Sequence, residues 1–312
     1  MRKVLLIFCS VFLSLLTVLS LFLFYPKESN KSESVKYLEI WHIDGIEGGI
    51  GSRTSLLKKV ASEYAKSHGL VIRVIMHTVN SCEKNFEKGV YPDIISYSNG
   101  LNLPYERLLS FNGDKEKSYA KEWCKGGYLL ISRKNQNIKG VIISQQSYTV
   151  PLLAYHLSQV KIPISQTEQS DKAIYSFYRD KSLALLGTQR DLYRLENKDI
   201  EIDVKVLNGY NDLYQYFSLL CTEKNYLLAT AFIDYFYETL SNKNLLKDIG
   251  MLSKNGYIEG QCEEKLKIFV NSALEYRTLP LISKQQVQKL QKQAFSYDKE
   301  QESIKTALKH LK

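Results

Sequence analysis

Cysteine and histidine are scarce in this sequence, with five of each among 312 residues. The histidines are dispersed without metal-ligand spacing, and no close CxxC pair occurs, so we predict no metal site. Four cysteines lie beyond the first 26 residues and would allow three complete disulfide pairings, among which the sequence does not choose. These four are Cys82, Cys124, Cys221 and Cys262.

The common catalytic signatures are also missing. The sequence contains no GxSxG elbow, no HExxH helix and no dinucleotide-binding fingerprint. Glu47 and Asp93 could form the kind of carboxylate pair that glycosidases use, but no motif fixes their separation. We therefore predict a protein that is not an enzyme, with no catalytic residues and no cofactor.

Clustered positive charge is lacking as well. Lysine and arginine outnumber aspartate and glutamate by 42 to 33, which gives a formal charge of +9, but they are scattered along the chain. A nucleic-acid footprint requires clustered basic residues. The sequence therefore predicts no nucleic-acid partner, although a weak attraction to an anionic membrane or wall surface is compatible with the charge.

One long apolar run stands at the amino terminus. Arg2 and Lys3 precede residues 4–25, which carry no charge and are long enough to cross a hydrocarbon core of roughly 30 Å. The positive charge ahead of the run predicts that the remainder is exported. No small-x-small cleavage site is evident. We therefore predict that residues 1–26 are a membrane anchor, with a cleaved signal peptide as the alternative. Residues 27–35 are then predicted to be a flexible linker.

The remainder alternates strand and helix patterns. Tyr37 to Trp41 is strand-like, a glycine-rich turn follows, and the next apolar residues recur at helical spacing, with Ser52 or Ser55 as N-cap. A second strand at 70–76 completes a βαβ beginning, and ligands bind beside the carboxyl ends of such strands. A third strand begins after Pro92. Further strands are predicted at 127–132, 140–144, 183–187 and 202–207, and helices at 151–157, 171–179 and 229–240.

Several short runs carry a resemblance to a known family. They are Trp41-His42-Ile43-Asp44-Gly45-Ile46-Glu47-Gly48-Gly49, Gly89-Val90-Tyr91-Pro92-Asp93-Ile94-Ile95-Ser96, Trp123 with Gly126-Gly127-Tyr128, Leu185-Leu186-Gly187-Thr188-Gln189, Tyr210-Asn211-Asp212-Leu213, and Ala231-Phe232-Ile233-Asp234-Tyr235 followed by Ile249-Gly250-Met251. Their order over residues 37–253 resembles that of bacterial extracellular solute-binding proteins of ABC importers, the sugar-binding type in particular.

The resemblance implies an α/β, two-lobed periplasmic-binding-protein-like fold with a hinge and an interlobe cleft that closes on a ligand. It places residues 36–123 and about 208–254 in the first lobe. It places residues 124–207 and about 255–312 in the second, which we expect to be reduced because the strand at Leu183 comes sooner than in the family. The implied partners are a small solute, a sugar, and the importer permease subunits. We expect a monomer on the extracellular face of the cell membrane.

Ligand-binding candidates follow from these runs and from residue chemistry. Trp41 and Trp123 could stack on a sugar ring, or could be core residues. Asp44, Glu47 and Asp93 could accept hydrogen bonds from hydroxyls, although Asp93 could equally cap its own turn. The other candidates are Gly48, Gly49, Ser52, Arg53, Asn99, Tyr128, Gln189, Arg190, Tyr210 and Asn211.

Two alternatives stay open. The glycine turn followed by Ser52-Arg53-Thr54-Ser55 offers backbone N–H groups, hydroxyls and a cation, which suits a phosphate or carboxylate as well as it suits a simple tight turn and N-cap. An anchored sensor or scaffold that keeps the fold without transport is the other alternative.

Overall fold

The described part of the chain forms two five-stranded sheets with helices packed against them. The computed structural model describes residues 36–45, 51–111, 118–196, 198–243, 245, 249, 251 and 283–310. The predicted anchor and linker, three candidates of the glycine turn (Glu47, Gly48 and Gly49) and Cys262 lie outside these residues.

The strands lie at β1 Tyr37–His42, β2 Val71–Met76, β3 Ile94–Tyr97, β4 Lys121–Lys125, β5 Tyr128–Arg133, β6 Gly140–Gln145, β7 Ile164–Gln169, β8 Leu183–Thr188, β9 Ile202–Leu207 and β10 Tyr214–Leu219. The helices lie at α1 Arg53–His68, α2 Val79–Glu87, α3 Pro151–Leu157, α4 Ser170–Arg179, α5 Gln189–Glu196, α6 Glu223–Lys243, α7 Lys284–Phe295 and α8 Tyr297–His310, with a short 3-10 turn at Tyr105–Arg107.

The first sheet has the order β2-β1-β3-β10-β4, and the second has the order β7-β6-β8-β5-β9. In the first, β1 pairs in parallel with β2 and β3, and β10 runs antiparallel between β3 and β4. In the second, β6 pairs in parallel with β7 and β8, and β5 runs antiparallel to β8 and β9. We call each sheet with its packed helices a lobe.

Two crossovers between the lobes lie within the described residues, at 126–127 after β4 and at 208–213 before β10. The largest hydrophobic cluster contains buried residues of both sheets, including Ile40 and Phe217 of the first and Val141 and Leu186 of the second. A continuous core of this kind removes apolar surface from water in both lobes together.

Most elements predicted from periodicity are confirmed. Ser52 is the N-cap of α1, since its side chain accepts a hydrogen bond from the backbone of Ser55 at 3.2 Å. α2, β4, β7 and β10 were not predicted. The Ile164–Gln169 segment of β7 is mostly polar and lies at a sheet edge, where no alternation is required.

The three cysteines within the described residues, Cys82, Cys124 and Cys221, are buried and free. No disulfide joins any two of them, and a pairing with Cys262 falls outside the described part of the chain.

Candidate functional site

The carboxyl end of β1 and the start of α1 hold an ion pair. Asp44 follows β1, and Arg53 is the first residue of α1. Arg53 Nε donates to Asp44 Oδ1 at 2.6 Å, and Arg53 Nη2 donates to the same oxygen. The Arg53 side chain is 6% exposed and that of Asp44 36%, so the guanidinium lies beneath the surface with its charge balanced by a partly solvated carboxylate.

Met251 brings this ion pair into contact with the second lobe. Its Sδ atom lies 3.6 Å from Arg53 Nη1 and 3.4 Å from Nε2 of Gln189, which begins α5. Met251 and Gln189 are fully buried. We call these three residues the lobe junction, because one thioether there contacts an N–H donor from each lobe.

Gln189 also supports the first crossover. Its Oε1 accepts a hydrogen bond from Gly127 N at 3.0 Å, and Gly126 N donates to Leu213 O of the second crossover at 2.7 Å. A Cβ atom on Gly126 would lie 2.8 Å from Gln189 Nε2, so a larger residue there would displace the Gln189 amide from its present contacts.

A buried carboxylate, Asp212, ties the two crossovers together. It accepts hydrogen bonds from Tyr128 Oη at 2.5 Å, Val150 N at 2.8 Å and Tyr210 Oη at 3.0 Å. Burial raises the pKa of Asp212 to about 6, although these hydrogen bonds act in the opposite direction. One side chain therefore links β5, the start of α3 and the second crossover.

Four predicted ligand residues belong to this crossover network. Asn99 Nδ2 donates to Asp212 O at 3.1 Å, and Asn211 Nδ2 donates to Gly126 O at 2.9 Å. Tyr128 and Tyr210 donate to Asp212, and all four side chains are buried. The structure gives them the role of joining the lobes, and their contact with a solute stays a prediction.

Of the two roles suggested for Trp41 and Trp123, their positions fit the core and not a sugar-stacking site. Trp41 and His42 are consecutive in β1 and point to opposite sheet faces, and the His42 ring lies 6.5 Å from Trp123. Trp41 stacks on Phe86 of α2, whereas Trp123 packs against Phe236 of α6. Each is 2% exposed, so both are core residues.

The assignment of Asp93 to the ligand site is also wrong. Asp93 precedes β3, so it lies at the amino end of that strand, whereas Asp44 follows the carboxyl end of the parallel strand β1. Its carboxylate accepts from Glu39 N and Asn225 Nδ2, both at 2.8 Å. These partners are 54 and 132 positions away, so the carboxylate joins β1 to α6 rather than capping its own turn.

Two remaining candidates lie near the lobe junction. Ser52 is exposed beside Arg53, and the partly exposed Arg190 follows Gln189. The backbone N–H of Arg190 lies 3.3 Å from Thr188 Oγ1. Their roles in binding stay predictions.

A buried polar cluster beneath β1 fixes the tautomer of His42. Ser96 Oγ accepts from Trp123 Nε1 and Gln215 Nε2, both at 3.1 Å, so its own hydrogen is directed to His42 Nδ1 at 3.0 Å. Gln215 Nε2 also donates to Ile43 O, which fixes the amide orientation. His42 therefore carries its proton on Nε2, and burial lowers the pKa of the ring to about 4.

The pKa shifts of His42 and Asp212 predict opposing effects of pH on stability. The depressed pKa of His42 stabilises the fold above about pH 6.5, and this contribution is lost as pH falls towards 4. The raised pKa of Asp212 stabilises the fold below about pH 3.8, and this contribution is lost as pH rises through 6.

We expect Asp212→Asn to remove only the second contribution. The free energy of unfolding of the wild type minus that of the variant should therefore fall by about 2 kcal/mol between pH 4 and pH 7. Urea titrations at several pH values measure this difference, in which the other titrating groups cancel. A difference that does not vary with pH would exclude the Asp212 shift.

Sequence reasoning missed Met251, Asp212 and His42 as site residues. An aspartate between apolar and tyrosine neighbours, as in Tyr210-Asn211-Asp212-Leu213, could have indicated a buried carboxylate. Met251 carries no local signal, because its contact with Arg53 spans 198 positions.

Comparisons with known proteins bear on the fold. No protein-family model matches the sequence, and no curated protein does either. MalX from Streptococcus pneumoniae, solved in complex with maltopentaose, has a TM-score of 0.53 and 13% sequence identity, covering 87% of this chain and 97% of MalX. Tp0737 from Treponema pallidum has a TM-score of 0.50 and 11% identity, covering 83% of this chain and 100% of its own. The chain has an α/β, periplasmic-binding-protein-like fold.

Proposed function

We propose that this protein is an extracellular solute-binding protein that delivers a small solute, a carbohydrate, to an ABC importer. The observation that carries the proposal is the lobe junction, where side chains of both lobes converge on one point. A solute held there would contact both lobes, as binding between closing lobes requires. The similarity in fold to MalX, whose structure holds maltopentaose, supports a carbohydrate.

The charge at the junction favours an uncharged solute over the anionic alternative. The Arg53 guanidinium is already paired with Asp44 through two of its nitrogens. An anion would therefore have to displace a carboxylate, whereas sugar hydroxyls can donate to Asp44 and accept from Arg53.

Titration calorimetry with maltopentaose and with inorganic phosphate tests this function. We expect maltopentaose, or another oligosaccharide of a wider panel, to bind with heat release and to raise the thermal midpoint, because a ligand of the native state stabilises it. Binding of phosphate without any saccharide would favour the anionic alternative.

Replacing Arg53 by methionine should weaken saccharide binding by about ten- to a hundredfold, the loss expected when a charge-assisted hydrogen bond of about 1.5–3 kcal/mol is removed. Asp44 is 36% exposed and can be solvated after the change, so folding is preserved. The matched control is Arg73→Met on β2, whose side chain is 65% exposed and away from the junction. Equal affinities of the two variants would exclude Arg53 from the site.

The proposed location is the outer face of the cell membrane, with residues 4–25 as the anchor and the permease subunits as partners. Within the described residues, no helix has the length and apolarity needed to cross a bilayer, and the proposed anchor lies outside them. Amino-terminal sequencing of membrane-extracted protein tests the anchor. A sequence beginning near residue 27 would show a cleaved signal peptide instead.

The filled lobe junction gives a specific reason to keep the sensor or scaffold alternative. Met251 is fully buried and contacts both Arg53 and Gln189, so the protein's own side chain fills the space between the lobes there. A saccharide and anion screen without any stabilisation would favour a scaffold that keeps the closed fold.

A further inference from the structure

We propose that Met251 keeps the lobes closed by occupying the place of a solute oxygen between Arg53 and Gln189. The solute that displaces it presents an uncharged acceptor there, a hydroxyl or ether oxygen. The inference about the solute rests on the proposed binding function, whereas the closing role of Met251 can be tested without any solute.

The contacts of Met251 resemble those of a ligand atom. Its sulfur lies within 3.6 Å of Arg53 Nη1 and 3.4 Å of Gln189 Nε2, one from each lobe. A thioether is a weak acceptor, whereas an oxygen forms stronger N–H hydrogen bonds at about 2.9–3.0 Å. A solute oxygen at the same point would therefore bind both donors better than the sulfur does.

The surrounding carboxylates define the charge of that solute. Asp44 is paired with Arg53 on the first lobe. On the second lobe, Asp191 is also paired, since its Oδ1 lies 3.5 Å from Arg194 Nη1. The charge of Arg53 is therefore already balanced by Asp44, and an added anion would have to compete with that carboxylate.

The side chain of Met251 suits displacement. Methionine is unbranched, with three rotatable bonds, so it can leave a packed position without a large backbone change. While it fills the junction, it lowers the apparent affinity of a solute in proportion to the fraction of molecules it blocks. Met251 would thus set both the resting state and the binding threshold.

Hydrogen exchange on the full-length protein in detergent tests the closing role. The reporter is the amide of Gly127, whose acceptor Gln189 Oε1 lies on the side chain that contacts Met251 through Nε2, so losing Met251 frees that side chain and exposes the amide. The internal standard is β10, which is buried along its whole length. Global destabilisation would speed exchange at both places, whereas loss of the junction contact speeds it only at the crossover.

Three variants of Met251 and one control separate the effect of filling the space from the effect of the sulfur acceptor. Met251→Ala removes the contact, and Met251→Leu fills the space but leaves Gln189 Nε2 facing carbon, so both should speed exchange at Gly127. Met251→Gln restores an oxygen acceptor and should return exchange to the wild-type rate. The control is Met76→Ala: Met76 is 64% exposed, and its sulfur accepts from Thr54 Oγ1 at 3.7 Å within one lobe.

The results expected are faster exchange at Gly127 in Met251→Ala and Met251→Leu alone, with β10 unchanged. Exchange at Gly127 equal to that of the control in both variants would overturn the closing role. Exchange that is accelerated equally in β10 would mean that Met251 only stabilises the fold as a whole, and this would also overturn the closing role.

Calorimetry on the same proteins tests the solute class. Met251→Ala should bind maltopentaose about tenfold more tightly than the wild type, the gain expected if Met251 blocks about nine molecules in ten. Equal affinity, or tight binding of inorganic phosphate, would overturn the inference about the solute. If no protein binds any saccharide while exchange at Gly127 still rises, the proposed carbohydrate function fails and the closing role stands.

Discussion

Replacing Trp123 by alanine should lower the free energy of unfolding by about 3–5 kcal/mol, the cost of emptying an aromatic position in a packed core. The Trp123 side chain is 2% exposed and lies 5.6 Å from the Phe217 ring and 5.3 Å from the Phe236 ring. Its indole N–H also donates to Ser96. Equilibrium urea unfolding followed by circular dichroism measures the loss.

The matched variant is Trp123→Phe, which keeps an aromatic ring against Phe217 and loses the N–H donor. We expect a smaller loss, because most of the apolar contact is retained. A Trp123→Ala protein with unchanged stability and weaker saccharide binding would contradict this result, and would return Trp123 to the ligand site that the sequence suggested.

Replacing Asp212 by alanine should cost about 3–5 kcal/mol and loosen the crossovers. The change leaves three buried donors without their acceptor, each worth about 1–3 kcal/mol: Tyr128 Oη, Tyr210 Oη and Val150 N. Urea unfolding at pH 7 measures the loss, and hydrogen exchange at residues 126–127 and 208–213 reports the loosening.

Asp212→Asn is the control for this result, since its amide oxygen still accepts from one or two of the same donors. We expect it to retain much of the stability that Asp212→Ala loses. Losses below about 1 kcal/mol for both variants would mean that the carboxylate does not hold the crossovers together.

Local pattern predicted much of the fold and little of the site. The apolar spacing of α1 and the capping serine before it are local features, and the structure confirms both. The polar segment of β7 was missed because its strand conformation comes from pairing with β6. Among the site candidates, Arg53 and Gln189 meet at the lobe junction, whereas Trp41 and Trp123 were misplaced.

The misplaced tryptophans have a physical explanation. An aromatic residue at a strand end can stack on a sugar ring or pack in the core, and the residue type alone does not distinguish these two roles. Which of the two applies depends on what covers each sheet face, and α2 and α6 cover the faces that carry Trp41 and Trp123. Neither contact is encoded near the tryptophan itself.

The sequence by itself determined the α/β alternation, the βαβ beginning and the capped start of α1, because hydrophobic period and capping act over a few residues. The tertiary structure alone decided that Asp212 joins the crossovers and that Met251 fills the lobe junction. Asp212 bonds to Tyr128 across 84 positions, and Met251 contacts Gln189 across 62. Such contacts exist only after the lobes have packed, since chain folding rather than local propensity brings their residues together.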